Sequence, residues 1–415
     1  MQDEIFHIPQ LVRYCEGDLH WDPKLTTPPG LYALTLALRH ASRFVGIDWP
    51  CDSTNLARAT NLLAVTILPW LCWLVLNAVH GAQTRPVYAH ATGRKLAAYA
   101  CATLPPLWFF GFLYYTDVLS VCAVLGMIAA ATSNQHILAS TLGILSLFFR
   151  QNNIVWVVFA AGASSVKVLQ QLSHVSCNRS PPLFSLIKQR FAWIRVASVV
   201  APYLPAVAGF AVYVIWNDGS LVLGDKTHHE VAFHVPQLGY FFAFALAFGW
   251  PVLLRTPRWR VLDVLALITL TVAGVIVVIH FTIVHPFMLA DNRHYVFYVW
   301  RRIINARSWT RYALVPVYAA SALTWIKLLA CRQSALWTIG FVTATALTLV
   351  PTPLIEPRYY LVPYLVLRLH VPEVSAVTAA TEIAWNALIN FVTILVFCRF
   401  PFTWTHETGQ QRFMW

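Results

Sequence analysis

The sequence predicts an all-α polytopic membrane protein, a bundle of about eleven or twelve transmembrane helices, on three observations. Of 415 residues, 58% are hydrophobic and only 11% charged, against about 25% charged in a soluble globular domain. Apolar stretches long enough to cross a bilayer core of about 30 Å, which takes roughly 20 helical residues, recur along the whole chain. The polar clusters between them occupy alternate connections, so that crossing the membrane at each stretch brings them all out on one face.

Taken in order, a polar opening segment (1–58) precedes a helix bundle (59–400), and the whole chain (1–415) reads as a single membrane domain. The clear spans are 59–79, 96–115, 153–171, 196–216, 237–254, 261–283, 310–330 and 382–400. Shorter candidates are 117–131, 135–149 and 333–350, and 359–371 is the weakest. Pro69, Pro105, Pro106 and Pro205 fall inside spans, where neighbouring helices can satisfy the freed carbonyls. Polar loops are expected near 217–236, 284–309 and 351–358. Many of the 17 Trp lie near span ends, as indole rings favour the membrane interface.

The net charge of +12 is spread between apolar spans rather than gathered in a patch, which excludes a nucleic-acid surface and fits anionic lipid. Lys and Arg tie at thirteen on each side of the membrane. Leaving out the five in the long opening segment, which translocates largely regardless of charge, gives thirteen against eight and places the face opposite the polar clusters in the cytosol. The sequon Asn178-Arg179-Ser180 then lies in a cytosolic connection and is expected to be unmodified. The eight cysteines show no CxxC or CxxH spacing, so no zinc site of the usual kind is expected. Cys15 and Cys51 share the opening segment and can pair if it is extracytoplasmic.

Several polar clusters carry candidate chemistry, each with a plainer alternative. Asp3-Glu4 reads on spacing alone as a helix N-terminus, where acids favour the macrodipole, and otherwise suits general-base work. Trp21-Asp22 leads into a Pro/Gly turn that would hold a sugar-stacking ring and a hydroxyl acceptor, or simply form a loop. Arg150-Gln151-Asn152-Asn153 interrupts two apolar spans and suits sugar hydroxyls or a phosphate, unless the arginine snorkels to headgroups. Asp225, Lys226, His228, His229, Glu230 and His234 crowd one loop; their spacing does not match a helical metal pair, and Lys226 is the better phosphate contact. The stretch from His285-Pro286-Phe287 through Asp291-Asn292-Arg293-His294-Tyr295 into Trp300-Arg301-Arg302 mixes cations with aromatics; an interfacial anchor accounts for Trp300 to Arg302 well and for Asp291 to His294 poorly. Arg358 needs an anion if it dips below the surface, either Glu356 or a ligand phosphate, because an arginine at the bilayer centre costs about 2.5–3.5 kcal/mol.

Together the segments MQDEIFHIPQ, CEGDLHWDPKLTTPPGLY, RQNNIVWV, GDKTHHEVAFHVPQL, HPFMLADNRHYVFYVWRR, PLIEPRYYLVPYL and the closing RFMW resemble one family. It is the endoplasmic reticulum dolichyl-phosphate-glucose α-1,2-glucosyltransferases, which add the last glucose to the lipid-linked N-glycan precursor. The resemblance implies a GT-C type architecture in the endoplasmic reticulum membrane with its active site, and hence the 1–58 segment, facing the lumen. It implies dolichyl phosphate glucose as donor, a lipid-linked oligosaccharide as acceptor, inversion at the anomeric carbon and no nucleic-acid partner. Metal dependence varies across the fold, so a divalent metal stays open and no cofactor is assigned. The resemblance places the base at Asp3, with Glu4 its neighbour or substitute. Arg293, His294, Arg358 and Lys226 are candidates for the donor phosphate, and Trp21, Asp22, Gln151, Asn152 and Asp291 for the acceptor sugar. Family members carry a transmembrane helix ahead of the acidic pair, whereas this sequence opens on the pair. The expectation is that Asp3 lacks an orienting element and that the 415-residue form is inactive. A lipid-linked sugar transporter or flippase, an inactive truncated paralogue and a non-catalytic scaffold are the competing readings. A transporter would place its ionisable groups near midplane within repeats.

Overall fold

A helix can begin only where its first amides find partners, and serine caps set three of the main boundaries. Ser53, Ser334 and Ser375 each accept a backbone N–H from the first turn of Thr54–His80, Ala335–Leu349 and Ala376–Arg399. The computed structural model describes residues 4–81, 88–175, 190–224, 231–256, 258–404 and 409–415. Asp3, the sequon at Asn178, Lys226 and the cluster from Asp225 to Glu230 lie outside the described residues.

The fold is an all-α bundle. Among the described residues, six helical runs are long and apolar enough to cross a membrane: Thr54–His80, Gln151–Ser173, Arg190–Trp216, Val261–Phe281, Thr310–Ala330 and Ala376–Arg399. Shorter apolar helices at Asp117–Thr132, His136–Leu147, Gln237–Leu253 and Ala335–Leu349 pack among them. Asp117–Thr132 sits against both Thr54–His80 and His136–Leu147 and is buried along nearly its whole length. By contrast Val261–Phe281 buries only Val278, leaving an apolar surface suited to lipid. Among the described residues, one short sheet pairs Phe402–Thr403 with Gln410–Gln411.

Two expected spans take a different form. The 96–115 stretch breaks into Tyr88–Ala102 and Pro105–Phe110. Pro105 forces the preceding Leu104 out of helical geometry, to φ −49° and ψ 121°. The weak 359–371 candidate is a 3₁₀ turn, Pro357–Tyr360, followed by the ten-residue helix Leu361–His370. At about 1.5 Å per residue that helix covers roughly half a bilayer core. It lies in the middle of the bundle, so its side chains meet protein on all sides and it can carry Arg368 at depth. Nε and Nη2 of Arg368, one edge of its guanidinium, donate to Glu382 on Ala376–Arg399, at 2.8–3.2 Å.

The opening segment folds back on the bundle. Its first helix, Glu4–Cys15, ends at a disulfide from Cys15 to Cys51, just before Thr54–His80 begins. Gly30 starts the next helix, Gly30–Phe44, with its N–H on the Phe148 carbonyl at 2.9 Å. A Cβ there would collide with the Phe148 backbone, so only glycine lets the opening segment approach the RQNN turn this closely.

Candidate functional site

The polar segments that stand far apart in the sequence converge on one cavity of about 770 Å³, inside the roughly 300–1,000 Å³ usual for ligand clefts. The first helix contributes Phe6 and His7, and the turn after it Lys24, Leu25, Thr26 and Thr27. Thr116 lies at the start of Asp117–Thr132, and Arg150, Gln151 and Asn152 come from the RQNN turn. Val231, His285, Met288, Asp291, His294 and the continuous run 351–359 close the wall, with Trp415 beside them. Most of the supplying segments read as polar interruptions between apolar stretches, whereas Tyr115 and Thr116 come from GFLYYTD, which does not.

Local chemistry fixes each wall. The 351–355 run is clamped by side chains on and before Gln237–Leu253. Gln237 donates to the Thr352 and Leu354 carbonyls at 3.2 and 2.8 Å and accepts from the Tyr360 hydroxyl at 2.6 Å. His234, fully buried, contacts the Pro353 carbonyl through Nδ1 at 3.2 Å. Burial lowers its pKa, opposed only in part by the Pro353 and Thr352 carbonyls, so it is neutral at physiological pH. The last residues are held by a parallel bridge between His294 and Met414, and His294 Nδ1 lies 2.9 Å from the Trp415 carbonyl. The Trp415 ring packs on Tyr295 at 4.9 Å.

The charged groups divide into three sets. Glu4 is buried, and its carboxylate takes two bonds from Arg58, at 3.0 and 2.8 Å, and a third from the Tyr114 N–H at 2.8 Å. The Arg58 bonds anchor the start of the first helix against Thr54–His80, and the Tyr114 bond ties it to the segment before Asp117–Thr132. Next to it, His7 Nδ1 meets the Tyr32 hydroxyl at 2.5 Å. The second set is Asp291, which accepts from Arg293 through the backbone N–H at 2.9 Å and the guanidinium at 2.7–3.1 Å. Burial pushes the Asp291 carboxyl up, and the Arg293 hydrogen bonds outweigh it, holding the group below its ordinary value. The third set is Asp117, Arg150, Glu356 and Arg358, of which all but Asp117 line the cavity. Asp117 Oδ1 pairs with Arg150 at 2.7 Å, Asp117 Oδ2 stands 3.9 Å from Arg358, and Arg358 pairs with Glu356 at 2.6 Å. Rings brace both cations: Tyr359 lies under Arg150 at 5.8 Å, and Phe110 and Tyr115 each face Arg358 at 5.6 Å.

Of the residues singled out from sequence, Gln151, Asn152, Asp291, His294 and Arg358 line the cavity. Gln151 donates to the Thr26 carbonyl at 2.6 Å, which joins two of its walls. Trp21, Asp22 and Arg293 are not in the lining. Trp21 donates to the Leu25 carbonyl at 3.1 Å and packs on Tyr14 and Tyr32, while Asp22 accepts the Lys24 N–H at 2.9 Å, so the two shape the turn that presents Lys24. Arg293 also bonds Gln411 at 2.7 Å and stacks on Trp404 at 4.5 Å. Asp3 and Lys226 lie outside the described residues. Asp117 was not singled out: one acid opening an apolar run, as in GFLYYTD, looks like an ordinary helix start. Among the described residues no group of three or more His, Cys, Asp or Glu side chains is placed to hold a metal ion.

The model of the DIE2/ALG10 family matches residues 1–369. Curated relatives of the chain bear the name Dol-P-Glc:Glc(2)Man(9)GlcNAc(2)-PP-Dol alpha-1,2-glucosyltransferase, three of them as follows. The Arabidopsis thaliana protein is 33% identical over 496 residues, spanning 100% of this chain and 94% of the relative. A Homo sapiens protein is 32% identical over 443 residues, spanning 100% and 92%. The Drosophila melanogaster protein is 34% identical over 444 residues, spanning 100% and 93%. No solved structure matches the chain.

Proposed function

This chain belongs to the DIE2/ALG10 family, and from that premise we propose how its cavity works. The protein is a dolichyl-phosphate-glucose-dependent α-1,2-glucosyltransferase of N-glycan precursor assembly. Its substrates are dolichyl phosphate glucose and the diglucosylated lipid-linked oligosaccharide. The observation that carries the site assignment is the convergence of the separated polar segments on one cavity of a membrane helix bundle.

The reaction is a single in-line displacement. The acceptor hydroxyl oxygen attacks the anomeric carbon, the bond from that carbon to the phosphate oxygen breaks, and dolichyl phosphate leaves with the bonding pair. A carboxylate takes the hydroxyl proton. Glu4 already accepts three hydrogen bonds, so the proposal makes it the anchor of the first helix and assigns the base to its neighbour Asp3. Arg358 and Arg150 meet the donor phosphate, whose negative charge grows as the sugar departs. Gln151, Asn152 and Asp291 offer hydrogen bonds to sugar hydroxyls. Asp3 and Lys226 hold their places in this assignment on sequence alone.

The site faces the lumen of the endoplasmic reticulum in this reading. The Cys15–Cys51 disulfide beside the cavity supports it, since such bonds persist in oxidising compartments. So does the excess of Lys and Arg on the opposite connections. The test is glucose transfer by purified protein from labelled dolichyl phosphate glucose to the diglucosylated acceptor. In this reading wild type forms one α-1,2-linked glucose, against the expectation of an inactive 415-residue form, and a folded Asp3→Asn variant forms none. Near-normal turnover by that variant removes Asp3 from the mechanism, and movement of the donor lipid across a bilayer without transfer favours a flippase.

A further inference from the structure

Asp117 has the geometry of a group that acts through others. It is the first residue of Asp117–Thr132, where the helix dipole favours a negative charge, and it is only 2% exposed. Oδ1 holds Arg150 at 2.7 Å. Oδ2 is buried, has no hydrogen bond, and faces Arg358 at 3.9 Å. The two arginines arrive from separate elements, Arg150 from the turn before Gln151–Asn153 and Arg358 from Pro357–Tyr360, and both line the cavity while Asp117 sits behind them. Two guanidinium groups within 4 Å of one carboxylate repel each other in a low-dielectric site, and that carboxylate offsets the repulsion. A metal ion is a poor occupant of a carboxylate flanked by two fixed cations.

We propose that Asp117 is a positioning residue that holds Arg150 and Arg358 side by side as one binding pair for the phosphate of the lipid donor. The proposal rests on the donor reading given above. The departing phosphate gains charge in the transition state, so a cation already in place stabilises it without reorganising first. Without Asp117, Arg150 loses its only carboxylate partner among the described residues, while Arg358 keeps Glu356.

The test is a double-variant cycle on the full chain in lipid nanodiscs, with Asp117→Asn and Arg150→Gln alone and combined, reading kcat/KM for dolichyl phosphate glucose and KM for the acceptor. Asp117→Asn should lower donor kcat/KM by roughly tenfold, the size of one charge-assisted hydrogen bond, when Arg150 is present. The loss should be clearly smaller in the Arg150→Gln background, where only the longer Arg358 contact is left to lose, with acceptor KM unchanged in both. An equal loss in the two backgrounds, or a loss confined to acceptor KM, overturns the proposal. If Asp117→Asn fails to fold, Asp117→Glu, which keeps the charge and moves it by one methylene, enters the same cycle with the same two outcomes. Absence of transfer by wild type would instead count against the donor reading itself.

Discussion

Arg358 is where the account is most exposed to measurement. Its Nε and Nη2 lie 2.9 and 2.6 Å from one Glu356 oxygen, and its Nη1 is 3.9 Å from Asp117. With Glu356 as counter-ion, the guanidinium can keep its charge in the cavity wall and present an edge to a phosphate. A charge-assisted hydrogen bond contributes about 1.5–3 kcal/mol. Arg358→Ala removes up to two such bonds to the phosphate, and Arg150 remains to make up part of the loss. A net cost of about 3 kcal/mol follows, on the order of 10²-fold in kcat/KM for the donor. Arg358→Lys keeps a point charge without the planar fork and should lose about tenfold. The assay is initial-rate transfer at varied dolichyl phosphate glucose and fixed acceptor, then the reverse, with thermal melting to confirm folding. If the folded alanine variant stays within twofold of wild type for the donor, or if its defect lies in acceptor KM alone, the phosphate assignment is wrong.

Two further outcomes concern stability. Glu382→Gln should lower the melting transition by the equivalent of about 3–5 kcal/mol, because Arg368 would stay buried without its counter-ion. The double change Arg368→Met with Glu382→Leu should melt near wild type, and equal melting of Glu382→Gln and wild type would show that the pair does not carry this burden. Reduction of the Cys15–Cys51 bond, which spans 36 residues, should destabilise wild type by up to about 4 kcal/mol on the chain-entropy account. A reductant should leave the melting of Cys15→Ser unchanged, and if wild type is equally indifferent the tether is dispensable.

The parts of the fold legible in the sequence are those with contrast. Polar runs such as RQNN and PTPLIEPRYY stand out because the surrounding residues are apolar, and they do line the cavity. Pro105-Pro106 signalled a break that a hydropathy reading ran through. Leu361–His370 read as a weak span because a helix enclosed by protein needs no lipid-facing side, so Arg368 and His370 dilute its apolar signal. The role of Asp117 depends on two arginines 33 and 241 positions further along, and no local pattern announces such a meeting. Trp21-Asp22 had the right residue types for a sugar site, yet neither lines the cavity, and both bond within the turn, Trp21 to the Leu25 carbonyl and Asp22 to the Lys24 N–H.

The central claim, one cavity opening on one side of the membrane, is tested most directly by single cysteines at Asn152, His285 and Thr352, all in the cavity wall. They would be placed in a chain lacking the free cysteines Cys331 and Cys398, which are exposed. In sealed microsomes a membrane-impermeant thiol reagent should label none of the three, and after opening the membrane it should label all three, with dolichyl phosphate protecting them. Labelling of one site from the outside while the others stay shielded would place the walls on opposite faces and contradict the account.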